Sequence, residues 1–227
     1  MNRTRLLLGQ DAEKPASARV AVFGVGGVGG YVAEFLARAG VGHIALIDGD
    51  TVSASNLNRQ IIALTSTIGQ KKTQVCARRL KDINPDLEVE EFDLFYTQDT
   101  PFDFSRYDLI ADCIDTVTSK VALIKACSGV VPVISCMGTG NKRSTNFELA
   151  DIYSTSVCPL ARVMRRLLKQ ANIPSLLVVY SKEQPSGGVI EEGGRHAPAS
   201  ISYVPAAAAA KIAESAIKLL LSKNQAE

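Results

Sequence analysis

Ligands for a structural metal are scarce in this sequence. It has two histidines, His43 and His196, and five cysteines, Cys76, Cys113, Cys127, Cys136 and Cys158, with no C-x-x-C pair. That spacing argues against a zinc site, and the odd, scattered count argues against a disulfide framework. Reduced thiols in a cytoplasmic protein are the expectation. No run of about 18 apolar residues is present, so no spanning helix or firm membrane association is expected. The nearest stretch, Val204 to Leu221, is interrupted by Lys211, Glu214 and Lys218. The opening MNRTRLLLGQ has only three consecutive leucines, too few for a secretory signal core. Charge is nearly balanced, with 25 basic against 23 acidic residues and a net charge of +2. A nucleic-acid partner is therefore neither required nor excluded, because a local basic patch suffices. Internal repeats and low-complexity tracts are also lacking.

What is present is enough apolar material for one large domain: 46% of 227 residues. Arg19 to Gly24 reads as a buried strand. Gly29 to Ala39 has helical spacing, and His43 to Asp48 is a second strand, so the two strands are predicted to be parallel. Thr67 to Asn84 reads as a helix, Leu87 to Leu94 and Tyr107 to Ile114 as strands, Ser119 to Ser128 as a helix and Val131 to Cys136 as a strand. Strands alternating with helices predict an α/β fold with a Rossmann-like, doubly wound, mostly parallel sheet. After Met137 the pattern changes. A strand is expected at Leu149 to Ile152, a helix at Pro159 to Asn172 and a strand at Leu176 to Ser181. A mobile loop is expected at Gln184 to Ser200, then an Ala-rich helix at Pro205 to Lys223. This divides the single domain 1–227 into a nucleotide-binding core, 1–136, and a smaller C-terminal α/β extension, 137–227.

The loop Gly24, Gly26, Gly27, Gly29 fits G-x-G-G-x-G between a strand and a helix. Glycines let backbone approach phosphate oxygens, and the helix start offers free N–H groups. Tight strand–helix packing also needs glycine, so the loop alone names no nucleotide. Asp48, at the end of the next strand, stands where a carboxylate accepts ribose hydroxyls. The following DGDTVSASNLNRQ places Asp50, Asn56, Arg59 and Gln60 in one loop, GQKK adds Lys72, and DCID puts Asp115 at a strand's carboxyl end. One arginine, one lysine and one aspartate around a glycine loop suit a triphosphate with Mg²⁺: the cations offset phosphate charge and the carboxylate holds the metal. Each has a plainer alternative. Arg59 can pair with Asp50, Lys72 can be solvated, and Asp115 can cap a helix.

GVGGVGG, LIDGDTVSASNLNRQ, GQKK and DCIDTV together resemble the ubiquitin-activating-enzyme-like family that includes the ThiF, MoeB and HesA proteins. The resemblance implies adenylation of a carboxyl group with ATP and Mg²⁺ by a homodimer. It implies ATP contacts for the glycine loop, Asp48, Asp50, Ser55, Asn56, Leu57, Asn58, Arg59, Gln60, Lys72, Asp115 and Thr116. Asp115 becomes the metal ligand, and Arg59, Lys72, Asp115 and Arg3 are the expected catalytic residues. Arg3 in RTRLLLG fits an arginine that reaches the partner subunit's triphosphate, with Arg5 as the alternative register. The two C-x-x-C pairs of the sulfur-carrier activators are missing. RTRLLLG, INPDLEVE, CPLARVMRRLLK, VVYSKEQP and SISYVP instead resemble the branch that dehydrates threonylcarbamoyladenosine in tRNA to its cyclic form. Cys158 departs from that branch's usual Asp. Val178 stands where some members carry Cys, which excludes an enzyme thioester there.

Arg162, Arg165, Arg166 and Lys169 are spaced for one helix face, which would attract a tRNA backbone. Lys142, Arg143 and Lys182 extend that expectation to a continuous basic surface. A merely solvated helix face is the plainer alternative. Two other functions fit the motifs: an adenylyltransferase acting on the C-terminus of a ubiquitin-like sulfur carrier, and a non-catalytic nucleotide-binding scaffold in sulfur transfer. The resemblance also implies a cysteine desulfurase or another sulfur-transfer protein as a partner.

Overall fold

Strands with apolar residues on both faces build the centre of the molecule. Among β1 (Arg19–Phe23), β2 (His43–Ile47), β4 (Leu109–Asp112) and β5 (Val133–Cys136), all residues but Arg19 and Val133 are buried. Such near-continuous burial is what a parallel sheet covered on both sides demands. The computed structural model describes residues 2–192 and 195–222. Two short helices, α1 (Asn2–Leu8) and α2 (Glu13–Ser17), precede β1. After β1 come α3 (Gly29–Ala39), β2, α4 (Lys72–Ile83), β3 (Glu88–Phe92), β4, α5 (Val117–Cys127) and β5. Then follow β6 (Glu148–Asp151), α6 (Pro159–Gln170), β7 (Leu177–Tyr180), β8 (Val189–Glu192), β9 (Arg195–Pro198) and α7 (Tyr203–Ser222).

Seven strands form one sheet in the order β3-β2-β1-β4-β5-β7-β6. All neighbours pair in parallel except β6, which runs antiparallel to β7. The strands after residue 137 extend the same sheet: Ser135 pairs with Val178. Side chains alternate between two cores. Val20, Val22, Ile44 and Leu46 meet α3, α4 and α7 on one face. Ala21, Phe23, Ala45 and Ile47 meet α5 and the aromatic residues Tyr96, Phe104 and Tyr107 on the other. Helix α6 lays Ala161, Met164 and Leu168 onto Val178 and Tyr180. The strand order reverses direction at β1, so the carboxyl ends of β1, β2 and β4 frame a crevice.

Two expectations are corrected, and one segment gains an element that was not predicted. The helix predicted from Thr67 begins at Lys72, because Gly69 takes φ +84 and Thr51 bridges Lys71 just before it. The loop expected at Gln184 to Ser200 contains an antiparallel pair, β8 with β9, in which Glu191 faces His196. Its Val-Ile-Glu-Glu and Arg-His-Ala-Pro strands are too short and too charged to give an alternation signal. The N-terminal RTRLLLG, read only for its motif, is helical. Among the described residues, no helix is long and apolar enough to cross a membrane.

Candidate active site

The glycine loop is fixed by contacts that only glycine permits. Gly24 has φ +85, and a Cβ there would stand 2.8 Å from the Cys113 carbonyl oxygen. A Cβ on Gly29 would stand 1.8 Å from the Gly24 carbonyl oxygen. The loop therefore lies against the end of β4, and α3 begins directly beneath it. The notional Cβ of Gly27 meets nothing closer than 3.5 Å, and that of Gly26 only the Gln60 amide at 3.8 Å. A Cβ at either position would fit, that of Gly27 in ordinary contact with Arg59 and Pro205.

Asp48 ties the loop to β2. One of its carboxylate oxygens accepts from the Val25 N–H at 2.7 Å, and the other from the Asp50 N–H at 2.8 Å. The half-buried carboxylate keeps lone pairs for a ribose. The next segment winds into a short 3₁₀ turn, Ala54–Asn56. Buried Asn56 accepts from the Ser53 N–H at 3.1 Å, and its carbonyl receives the N–H groups of Arg59 and Gln60. Ser55 and Leu57 are exposed beside it. The Gln60 side-chain oxygen is buried without a hydrogen-bond partner, while its amide nitrogen is the atom nearest Gly26.

The cations settle differently from the alternatives set out above. It is Lys72, not Arg59, that pairs with Asp50, at 2.8 Å and with the lysine nearly buried. Arg59 folds onto its own loop, donating to the Ser55 carbonyl at 2.8 Å and to the Asn58 side chain at 2.9 Å. Asn58 in turn donates to the Ser200 carbonyl at 3.2 Å, joining this loop to the segment that leads into α7. Asp115 is exposed at the carboxyl end of β4 and accepts from the Thr116 hydroxyl at 3.2 Å. Thr116 occupies the N-cap position of α5, but neither its side chain nor that of Asp115 caps the helix. No cluster of three or more His, Cys, Asp or Glu side chains suited to a metal occurs among the described residues.

Reading the sequence missed the support beneath Asp115. Asp112 and Lys120 are completely buried and paired at 2.8 Å. Ser135 donates to the same Asp112 oxygen at 2.6 Å. A lysine one turn into a helix gives no sign of burial in sequence. Its only signal is the unusual Asp at the last residue of a wholly apolar strand.

Other expected residues lie elsewhere. Arg3 is exposed on α1, whose Thr4, Arg5 and Leu8 line a pocket with Gly40, Gly42 and Asn84. Those glycines and Asn84 lie where β2 and β3 begin, at the end of the sheet opposite Asp115. Within one chain, Arg3 does not join the other site residues. On α6, Arg162, Arg166 and Lys169 are exposed, but Arg165 is turned inward, bonded to the Thr155 carbonyl at 2.9 Å and its hydroxyl at 2.5 Å. The continuous basic surface is also corrected. Lys142 is buried and donates to the Glu183 carbonyl at 2.6 Å, while Lys182 pairs with Glu148 at 2.7 Å. The Glu183 carboxylate accepts from the Arg143 and Ser144 N–H groups, which holds its pKa below the usual carboxylate value.

All five thiols are free. Burial pushes Cys76, Cys127 and Cys136 up to about 12, and Cys113, beside the glycine loop, well above the usual thiol value. Val178 is buried in β7. None of these positions offers a thiolate nucleophile.

Comparison with known proteins identifies the family. A family model described as the ThiF family matches residues 2–227. A tRNA threonylcarbamoyladenosine dehydratase from Bacillus subtilis is 43% identical over 190 residues, covering 81% of this chain and 75% of the relative. The Escherichia coli protein of the same description is 40% identical over 158 residues, covering 68% of this chain but only 59% of its own length. The solved structure of the E. coli dehydratase TcdA in complex with AMP superposes with a TM-score of 0.91 at 31% identity, covering 100% of this chain and 96% of that one. Its complex with ATP gives 0.87 at 30% identity, covering 99% and 94%.

Proposed function

The chain belongs to the ThiF family, and from that premise we propose that it uses ATP to dehydrate threonylcarbamoyladenosine in tRNA to the cyclic nucleoside. The observation that carries the reading is convergence. A glycine loop, a ribose-facing Asp48, two cations held only by neighbours in the same loops, and exposed Asp115 meet at the carboxyl ends of β1, β2 and β4. The buried, unpartnered Gln60 oxygen leaves one polar group of this loop to be satisfied. Relatives described as dehydratases, and one solved with AMP and with ATP, support the choice of chemistry.

The steps follow from bonding. The substrate carboxylate attacks the α-phosphorus of ATP, the α–β anhydride bond breaks, and pyrophosphate leaves. The carbamoyl group of the same nucleoside then attacks the acyl carbon, the bond to AMP breaks, and the ring closes. Net, one water is removed at the cost of one anhydride bond. A nucleophile already attached has a high effective molarity, so positioning outweighs acid–base help. Asp48 orients the ribose. Loop N–H groups and the start of α3 face the phosphates. Arg59 and Lys72 turn from Ser55, Asn58 and Asp50 to offset phosphate charge. Asp115 would hold a Mg²⁺, a hard cation suited to a carboxylate oxygen. Bound there, the ion would draw charge from the phosphates.

The reading extends to a homodimer in the cytoplasm. Arg3 stands away from its own site, beside Leu6 and Leu7, which are 83% and 85% exposed on the same helix. A second copy would cover those leucines and receive Arg3 at its triphosphate. Arg162, Arg166 and Lys169 present the charge for a tRNA backbone.

The test incubates purified protein with ATP, Mg²⁺ and tRNA carrying threonylcarbamoyladenosine, and measures the nucleoside by mass spectrometry. The expected product is lighter by one water, with AMP formed in equal amount. No mass change, with ATP–pyrophosphate exchange on adding a ubiquitin-like sulfur carrier, would replace this reading by carrier activation. No ATP turnover with either would leave a scaffold.

A further inference from the structure

The exposed aspartate of the site owes its place to residues that never see solvent. Cys113 and Ile114 leave β4 and run directly to Asp115. The Cys113 N–H bonds the Phe23 carbonyl at 2.8 Å, and the Cys113–Ile114 peptide lies against Gly24. Both polar backbone groups of Ile114 are then claimed by one buried ion pair. Its N–H donates to Asp112 at 3.2 Å, and its carbonyl accepts from the Lys120 ammonium at 2.9 Å. Lys120 and Asp112 meet at 2.8 Å with no exposure, and Ser135 on the neighbouring strand donates to the same carboxylate oxygen that Lys120 meets, leaving the other for the Ile114 N–H.

Such an arrangement is more than a core needs. A buried ion pair is weak evidence for stability, because desolvation of two charges offsets most of their attraction. A hydrophobic pair would fill the space between β4 and α5 as well. It would not hold Ile114 by both its donor and its acceptor. We propose that Lys120 and Asp112 are positioning residues that clamp Ile114 and thereby aim the Asp115 carboxylate at the metal–triphosphate. The inference rests on the proposed role of Asp115 as a metal ligand. Groups that orient a metal ligand cost roughly 10–100-fold in metal affinity when removed.

The test measures ATP binding to the full-length protein by calorimetry, with and without Mg²⁺ and without tRNA. Lys120→Met removes the donor to Ile114. The double variant Lys120→Met with Asp112→Asn removes both charges together, so neither is left buried alone, while the Asn oxygen still accepts from the Ile114 N–H. Asp115→Asn is the reference. The expected result is that Mg²⁺ strengthens ATP binding in the native protein and that this gain shrinks roughly tenfold in all three variants. Metal-free ATP binding should stay within about twofold, because the glycine loop and Asp48 are untouched. If Lys120→Met fails to fold, the double variant decides. A folded double variant with the full Mg²⁺ gain, beside an Asp115→Asn that loses it, overturns the clamp alone. A full gain in Asp115→Asn overturns the metal assignment on which it rests. Equal loss of metal-free ATP binding would reduce the pair to general support of the fold and refute positioning.

Discussion

Gly27 and Gly29 lie two residues apart in one loop, and the structure gives them opposite reasons to lack a side chain. Gly29→Ala places a methyl carbon 1.8 Å from the Gly24 carbonyl oxygen and 3.2 Å from the Cys113 Cβ. Both obstacles belong to the loop and to β4, so no flexible side chain can swing away. Relief needs the start of α3 and the loop to part by about 1 Å or more, overpacking that costs about 3 kcal/mol. For a chain of this size that lowers Tm by about 6–12 °C. The same displacement moves the phosphate-facing N–H groups, and about 1 Å is worth on the order of 100-fold in rate. Gly27→Ala meets nothing closer than Arg59 Cγ at 3.5 Å and Pro205 Cβ at 3.6 Å, both ordinary contacts. Its Tm should equal the native value or rise slightly. Its methyl, however, stands beside Arg59 on the loop face proposed to meet a phosphate. Thermal unfolding with and without ATP separates the two. At about 100 times Kd, ATP adds about 2.7 kcal/mol to the native protein, and Gly27→Ala should gain none of it. A Gly29→Ala that unfolds at the native temperature would refute the packing argument. A Gly27→Ala with the full ATP shift would refute the phosphate-facing reading of the loop.

Burial would raise the Glu34 carboxyl, but Arg79 and Arg38 outweigh it and hold it below the usual carboxylate value of about 4.5. The stability this gives is present above that pH and fades as pH falls through the lower folded value, so Glu34→Gln should cost about 2 kcal/mol at pH 7 in urea unfolding and flatten the acid side of the profile; an unchanged acid slope would refute it. Replacing Arg162, Arg166 and Lys169 by Ala should lower the salt slope of tRNA binding by about 2–3 units. Arg165→Ala should leave the slope unchanged and lower Tm, because it loses Thr155; the reverse pattern would show that the inward arginine is the one that meets the phosphates. Iodoacetamide at pH 8 should spare Cys76, Cys127 and Cys136 until the protein is unfolded, since burial pushes each thiol to about 12; early labelling seen by intact mass would contradict their packing.

What could be read in advance was whatever depends on neighbours in sequence. The glycine loop, Asp48 and Asp115 fall at the ends of strands, and a strand that is apolar throughout announces where it stops. The parallel sheet followed from the same alternation of strand and helix. The start of α4 was misplaced because the helical spacing runs back through Gly69, while the backbone there takes φ +84 and the preceding residues bridge to Thr51.

Side chains whose partners come from distant segments were the ones misjudged. Lys142, Lys182 and Arg165 look alike in sequence to Arg162, Arg166 and Lys169, as cations on polar turns or one helix. The two lysines are decided by the antiparallel register that sets Glu148 opposite Tyr180, which brings Glu148 to Lys182 and is followed by the Glu183 carbonyl that takes Lys142, while Arg165 is turned in by Thr155 just before its helix. Lys120 is the sharpest case. Five residues after Asp115 it reads as another solvated helix lysine, and α5 carries almost no apolar bias toward one face to contradict that. Only the parallel pairing of Asp112 with Ser135 creates the polar pocket that makes its burial tolerable. A buried cation needs its counter-charge in place before it can be enclosed. The buried residues beneath Asp115 thus depend on strand pairing, while the aspartate itself needs only a strand end, and that is why the motif was visible and its surroundings were not.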